Sequence, residues 1–522
     1  MNVKADRKAQ KEQEQEMPLK LEQELGTVAK GAGIAFTGKV SGTGLKYFTQ
    51  IIIARFLGTD IFGIYALGMV VYEVARLFSS MGLHIGSVRY VSIHHGAGDV
   101  QRLKGVLLQV ILLPFLGGAV LGAAIFLASE YLAQDIFGKP ELTFVLRIFA
   151  ISLPFWASTV VAARATTGFQ TTKYLVYIRE YLQPFANLML VIFLCLIGQR
   201  LFGVTLAWVL SFLLAFAAVL YLIKRVFPPL LQKNIKPVFE SRQLLKFSLP
   251  LAFGDILLFL LLRIDILMVG YFRPSLEVGV YRAVSQTALL LLIFLTSFNN
   301  IFAPMIADIF NKGDQEKMRQ LFKTVTRWSF SLTLPLFLVV AIGAKNILHI
   351  FGSDFTVGWL PLIILASGQL VNAGSGGVSL MLVMSGHQYR KLFGDFAIVI
   401  INLMLNIILI PRWGFLGAAV ATGISIAGVN LIRVMQVYFT LRVHAYSWKY
   451  LKIMGVGVLA ALSGLFIQNF LQDGHFFLSL VVTAGVMLSI YALLIWRTCF
   501  EEADKMILKK IRQKLRLSGI RI

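Results

Sequence analysis

The stretch GVLLQVILLPFLGGAVLGAAIFLA, residues 105–128, decides what kind of protein this is. It holds no ionisable side chain, and at about 1.5 Å per residue a helix of that length crosses the roughly 30 Å of hydrocarbon in a bilayer. Lipid offers backbone amides no partner, so only a helix or a closed barrel satisfies such a run. A barrel strand would be shorter and would alternate apolar with polar residues, which this run does not. Runs of the same kind recur along the chain. Spans are predicted at roughly 28–54, 61–93, 105–128, 142–163, 175–197, 203–223, 247–270, 278–305, 328–344, 357–384, 392–411, 415–441, 450–471 and 475–496. The expected fold is an all-α polytopic membrane protein with about fourteen transmembrane helices.

Composition excludes the soluble alternative. Of 522 residues, 57% are hydrophobic and 14% charged, with a mean hydropathy of +0.76. Soluble domains sit near 45–50% apolar and about 25% charged, and the excess here is more than a core can hide. The net charge of +23 would suggest nucleic acid in a soluble protein. Here the basic residues fall between the apolar runs, so no nucleic-acid partner is expected and the charge reads as topology. With the N-terminus inside, basic residues crowd the segments 224–246, 312–327, 442–452 and 497–521, while the opposite side carries Lys139, Arg200, Arg273, Lys345 and Arg412. Both termini are therefore expected in the cytoplasm of a cell-membrane protein, with no cleavable signal peptide. Cys195 lies in an apolar run and Cys499 follows the last one, so a disulfide framework is not expected.

An internal duplication is legible. Phe56-Leu-Gly-Thr-Asp-Ile-Phe-Gly63-Ile-Tyr65 aligns without gaps on Phe272-Arg-Pro-Ser-Leu-Glu-Val-Gly279-Val-Tyr281. Gly168-Phe-Gln170 matches Gly386-His-Gln388, Asn187-Leu-Met-Leu190 matches Asn402-Leu-Met-Leu405, and Gly203 matches Gly417. An ordered series at near-constant offset marks a repeat. Each copy holds six spans, an even number, so the copies are parallel pseudo-repeats. The predicted organisation is a charged cytoplasmic arm (1–27), a first lobe (28–225), a basic cytoplasmic linker (226–246), a second lobe (247–442), two further helices (443–497) and a basic tail (498–522).

Polar residues inside the spans point to function. Lys39, Thr43, Lys46 and Gln50 share one face of the first span. Glu73, Arg76, Ser80, His84 and Ser87 form a stripe on the second. The seventh span carries Asp255, Arg263 and Asp265, and the eighth carries Arg282, Ser285, Gln286, Thr296 and Asn300 on one face. An ionised side chain at mid-membrane costs about 2.5–3.5 kcal/mol, so such groups must face water or one another, which implies a hydrated cavity. Lys39, Lys46, Glu73, Arg76, Arg263, Arg282, Gln286 and Asn300 are the candidate cavity residues. Asp255 and Asp265 are the candidates for ion coupling. The excess of cations suits an anionic substrate, and arginine suits phosphate. Gly33-Ile-Ala-Phe-Thr-Gly38-Lys39-Val40 resembles a phosphate-binding loop but has Val40 where Ser or Thr is needed and no preceding strand, so it is set aside. No cofactor or metal cluster is expected. His94-His95, at a span end, reads as a solvated loop feature.

These features resemble the polysaccharide-export branch of the multidrug/oligosaccharidyl-lipid/polysaccharide (MOP) exporter superfamily. The likeness rests on Ala54-Arg-Phe-Leu-Gly-Thr-Asp-Ile-Phe-Gly-Ile-Tyr65, on Val88-Arg-Tyr-Val-Ser92 with Gly98-Asp99, and on Arg263-Ile-Asp265 with Gly279-Val-Tyr281, and it covers about residues 27–445. The resemblance implies two lobes, a cavity lined by helices one, two, seven and eight, and a flippase rather than an enzyme. Its cargo would be a polyprenyl-diphosphate-linked oligosaccharide, contacted by Lys46, Arg76 and Arg282, with Lys39 and Arg263 next. Membrane lipids and a glycan-assembly machinery are the implied partners, and a monomer is the default. The alternatives are a peptidoglycan-precursor (lipid II) flippase and a cation-coupled multidrug exporter of the same superfamily. From outside the class comes a membrane-embedded glycan polymerase or ligase, which should show a long outer loop with paired acids.

Overall fold

Helix α1 (Val3–Ser80) is far longer than one crossing requires and turns once, at Gly58, with φ 74° and ψ 175°. Only glycine adopts that conformation without strain. The computed structural model describes residues 3–446, 448–471 and 476–498, with side chains from Thr37 onward except at positions 251, 254, 255, 257, 258, 261, 262, 300, 301, 304 and 449. The side chains of the arm (1–27), of Asp255 and of Asn300, and the tail beyond Thr498, lie outside the described residues.

Two compact units emerge. One takes in the chain up to Leu57 and again Ile64–Phe259; the other takes in Gly58–Gly63 and the chain from Leu260 onward. The first unit continues with α2 (Leu83–Gly96), α3 (Val100–Tyr131) and α4 (Glu141–Ala165). A composite helix follows, made of α5 (Lys173–Val176), a π-helical stretch Tyr177–Leu182 and α6 (Gln183–Leu196). Then come α7 (Leu201–Val226) and the first half of α8 (Ser241–Phe272). Leu83, Val106, Leu107, Val161, Ile178 and Val219 meet in its core.

The connection between α7 and α8 is strapped to the first unit. Buried Lys104 donates to the carbonyls of Gln232 (2.5 Å) and Ile235 (3.0 Å), and the Val238 amide donates to the Gln101 carbonyl. His94 is buried, with Nε2 3.0 Å from the Glu240 carboxylate, which Arg102 also approaches at 3.5 Å. This corrects the expectation of a solvated His94: its partner lies far along the chain, so the local sequence carries no sign of the pair. His95 is exposed, as expected.

The second unit contains α9 (Ser275–Leu289), α10 (Leu292–Asn311), α11 (Gln315–Ile342), α12 (Ala344–His349) and α13 (Trp359–Ser375). It continues through α14 (Val378–Met384), α15 (Gln388–Trp413) and α16 (Phe415–Leu441) to the final pair, α17 (Lys449–Phe470) and α18 (Phe476–Thr498). The final pair packs on α11: Ile453, Ala460 and Met487 cluster with Phe330 and Leu334, and the Tyr491 hydroxyl donates to the Ser331 carbonyl at 2.8 Å.

Among the described residues eleven helices are long and apolar enough to cross a bilayer, or up to twelve if the bent pair Ser275–Leu289 and Leu292–Asn299 makes one span. Thr37–Gly96 alone runs 60 residues and takes in most of the first predicted span and all of the second. Helix α8, corresponding to the seventh, is not among the eleven, so the number is compatible with fourteen. Large apolar side chains stay open on the outside, among them Leu127 (82% exposed) and Phe470 (82%), the surface that lipid must cover.

Repeat-related residues occupy matching places. Tyr65 and Tyr281 are both fully buried. The chain breaks helix at Gly58 in one copy and at Pro274 in the other. Asp99 caps α3 by accepting from the Arg102 amide at 3.0 Å, and Asp314 caps α11 by accepting from the Lys317 amide at 3.0 Å. Each follows a left-handed glycine, Gly98 (φ 68°) or Gly313 (φ 70°). The Lys317 amide and ammonium hold the Asp314 carboxyl below the usual carboxylate range. A depressed folded-state pKa means this cap stabilises α11 above the unfolded pKa and is lost as pH falls through the folded one.

Candidate functional site

Charge enters the first unit along α1, α4 and the composite helix. Lys39 is exposed, whereas Lys46, two turns on, reaches the Glu180 carboxylate at 2.6 Å. Glu180 is nearly buried; the Lys46 side chain remains 43% exposed. Glu180 and the adjacent Arg179 both belong to the π-helical stretch, a rare turn that recurs at functional sites. Gly42 makes this approach feasible: a Cβ there would lie 2.6 Å from the Glu180 carboxylate and 2.9 Å from its carbonyl oxygen. One turn earlier the Ser41 hydroxyl bonds the Tyr181 phenol at 2.9 Å, pinning the same two segments.

A cavity of about 210 Å³ opens beside this contact, lined by Lys46, Glu73, Arg76, Arg179, Trp156 and Trp208 among others. The Arg76 guanidinium stacks over Trp156 at 4.6 Å from the ring centroid, a cation–π contact that keeps the charge while offering an apolar neighbour. The hydroxyl of Thr159, a lining residue only 2% exposed, has no hydrogen-bond partner among the described residues. Three lining cations (Lys46, Arg76, Arg179) thus meet one lining carboxylate (Glu73), with Glu180 bonded to Lys46 beside the cavity, a net positive wall with aromatic panels. Such a wall suits an anion joined to rings that stack.

The second unit holds a different arrangement. Asp265 on α8 is 3% exposed and accepts three hydrogen bonds: from the Tyr281 hydroxyl at 2.5 Å, the Thr422 hydroxyl at 3.2 Å and the Ile266 amide at 2.8 Å. Arg263 lies close enough to act on it electrostatically, and Arg282, next to Tyr281 on α9, is buried. Asn402 donates to Thr422 and Ser425, and Asn406 donates to Asn402, extending the polar network through α15 and α16. Gln286, one turn beyond Arg282, is half-buried.

Of the candidate residues, Lys46, Glu73 and Arg76 share the first unit's cavity, and Lys39 does not line it. Asp265, Arg263, Arg282 and Gln286 belong to the second unit. Sequence reasoning passed over Arg179 and Glu180, although both stand as charges inside a predicted span, and over Trp156 and Trp208, which read as ordinary apolar content.

A family model described as "Polysaccharide biosynthesis protein" matches residues 28–310, more than half of the chain. A second, "MatE", matches residues 250–409. Over 169 residues the chain is 27% identical to a probable low-salt glycan biosynthesis flippase of Haloferax volcanii, a match covering 32% of this chain and only 36% of that relative's length. It is 23% identical over 354 residues to the succinoglycan biosynthesis transport protein ExoT of Rhizobium meliloti, covering 66% of this chain and 67% of that one. Among solved structures, the inward closed conformation of the lipid II flippase MurJ superposes with a TM-score of 0.67 at 15% identity, covering 88% of this chain and 98% of its own. An inward-facing multidrug resistance MATE transporter of the MOP superfamily reaches 0.62 at 15% identity, covering 76% and 94%.

Proposed function

Because the chain belongs to the polysaccharide biosynthesis protein family, within the MOP exporter superfamily, we propose that it flips a polyprenyl-diphosphate-linked oligosaccharide from the cytoplasmic to the outer leaflet of the cell membrane. The observation that carries this reading is the cationic, aromatic-lined cavity around Lys46, Arg76 and Arg179 inside a membrane-spanning unit. A polar glycan headgroup pays a heavy penalty in hydrocarbon, and a wet cationic path removes most of it. The diphosphate would be held by Lys46, Arg76 and Arg179 and the sugars by Trp156 and Trp208, with the prenyl tail left in lipid. Arg263, Arg282 and Gln286 are further candidates for the glycan, and both termini are assigned to the cytoplasm. The relatives' roles in low-salt glycan and succinoglycan biosynthesis favour a glycan precursor over a drug.

The test is direct. Purified protein in liposomes should move a fluorescent polyprenyl-diphosphate oligosaccharide between leaflets, read by a membrane-impermeant quencher, and should leave a cationic dye in place. Movement of the dye and not of the glycan lipid would reverse the assignment to drug export.

The Asp265 network supports cation coupling in the same protein. A carboxylate held by Tyr281, Thr422 and a backbone amide can exchange a proton or a small cation without collapse of its surroundings. Asp265→Asn keeps the shape and removes the charge. Its expected phenotype is glycan-lipid flipping that no longer accelerates when a proton or sodium gradient is imposed. An unchanged gradient response in D265N at normal protein level would remove Asp265 from coupling.

A further inference from the structure

The Lys46–Glu180 pair poses a question that an anion site alone does not answer: why one of the cations lining the cavity is already bonded to a carboxylate beside it. Glu180 is nearly buried, bonded to Lys46 at 2.6 Å, and fixed by close packing against Gly42 and by the Ser41–Tyr181 bond on the neighbouring residue. It is rigidly placed, and it occupies the donor that an incoming anion would use. Arg179, adjacent on the π-helical stretch, makes no hydrogen bond or ion pair within 4 Å among the described residues, and the Arg76 charge is met by the Trp156 face and not by a carboxylate at bonding distance. The buried Thr159 hydroxyl, also without a partner, lines the same space.

Resting on the flippase reading above, we propose that Glu180 is a resident counterion that makes the cavity selective for two adjacent phosphates over a single one. The argument is a comparison of exchanges. A headgroup with a single phosphate that displaces Glu180 from Lys46 only swaps one anion for another. It leaves a carboxylate in a poorly solvated place without its partner, a costly state. A diphosphate can span Lys46, Arg76 and Arg179 together, gaining two contacts beyond the one it takes from Glu180. The pair therefore rejects the single-phosphate headgroups that surround any such protein in great excess, and selectivity comes from a built-in penalty on the wrong ligand. Two sources could deliver vicinal phosphates, a lipid or a free soluble anion, and the experiment separates them.

The full chain in detergent is titrated calorimetrically with farnesyl diphosphate, farnesyl phosphate, inorganic pyrophosphate and inorganic phosphate. The wild type is expected to favour each diphosphate over its monophosphate by about tenfold or more, and farnesyl diphosphate over pyrophosphate. In Glu180→Gln that preference should fall to about threefold or less, through tighter monophosphate binding and not through weaker diphosphate binding. Glu180→Ser, smaller and so compatible with the Gly42 packing, should behave alike and secures the result if the amide variant does not fold. Arg179→Gln should weaken the diphosphates by about tenfold and leave the monophosphates within a factor of two. An undiminished preference in both Glu180 variants overturns the counterion role while leaving the flippase reading intact. A wild type that binds neither diphosphate, or binds pyrophosphate as tightly as farnesyl diphosphate, overturns the lipid reading itself.

Discussion

Replacing Arg76 with glutamate should stop glycan-lipid flipping, lowering it by about a hundredfold or more, which corresponds to about 3 kcal/mol. The cavity wall carries Lys46, Arg76 and Arg179 against Glu73, with Glu180 bonded to Lys46 beside it; the variant sets two cations against three acids. Attraction for a diphosphate becomes repulsion, and the guanidinium stack on Trp156 is lost with it. Membrane insertion should survive, since one ionised side chain replaces another of similar burial cost. Arg76→Lys separates charge from shape. It keeps the charge but not the planar fork, so partial activity is expected, between the wild type and the glutamate variant. The measurement is the initial flipping rate in liposomes at matched protein content. A wild-type rate for R76E would exclude the first unit's cavity from the path.

The second large effect concerns folding. A Cβ on Gly279 would overlap the Thr59 carbonyl oxygen, and one on Gly63 would overlap the carbonyl oxygen of Ser275. The obstacles are backbone atoms, which cannot rotate aside, so the usual overpacking cost of about 1–3 kcal/mol is a lower bound. Gly279→Val is expected to leave little folded protein, read by size-exclusion chromatography of a fluorescent fusion after detergent extraction. Gly455→Val, where a Cβ meets nothing within 4 Å, is the control and should run as the wild type does. A sharp, monodisperse G279V peak would mean that the two glycines are not packed as described. The close approach has the same logic as small-residue contacts between membrane helices, where removing side chains lets backbones touch.

Legibility in the sequence followed the range of the interaction. The apolar runs and the duplication were readable because each is a one-dimensional signal: hydropathy along a window, and repeated letters at a constant offset. Lys46, Glu73 and Arg76 were readable because charges in an apolar helix are conspicuous and share a 3.6-residue period. Arg179 and Glu180 escaped that filter because they are neighbours in sequence, and helical periodicity sends neighbours to different faces. Arg179 lines the cavity while Glu180 meets Lys46 beside it, and nothing local in Tyr177–Leu182 announces either contact. His94 with Glu240, and Asp265 with Thr422, escaped for another reason: each pair joins distant segments, and a single sequence does not encode which segments meet. Trp156 and Trp208 carried no signal beyond their apolar surroundings, because nothing in a single sequence tells an aromatic ring that lines a cavity from one that fills a core.

The buried tyrosines Tyr65 and Tyr281 have a further consequence. Extending their alignment back along the chain sets Thr49 opposite Asp265: a neutral hydroxyl bonded to the Leu45 carbonyl in one copy, and an acid bonded to Tyr281 and Thr422 in the other. The doubled ancestor kept its frame and let its chemistry drift apart, so the two halves have ceased to be interchangeable. A protein assembled from two first halves would carry threonine at both places, with no carboxylate there for a buried tyrosine to bond.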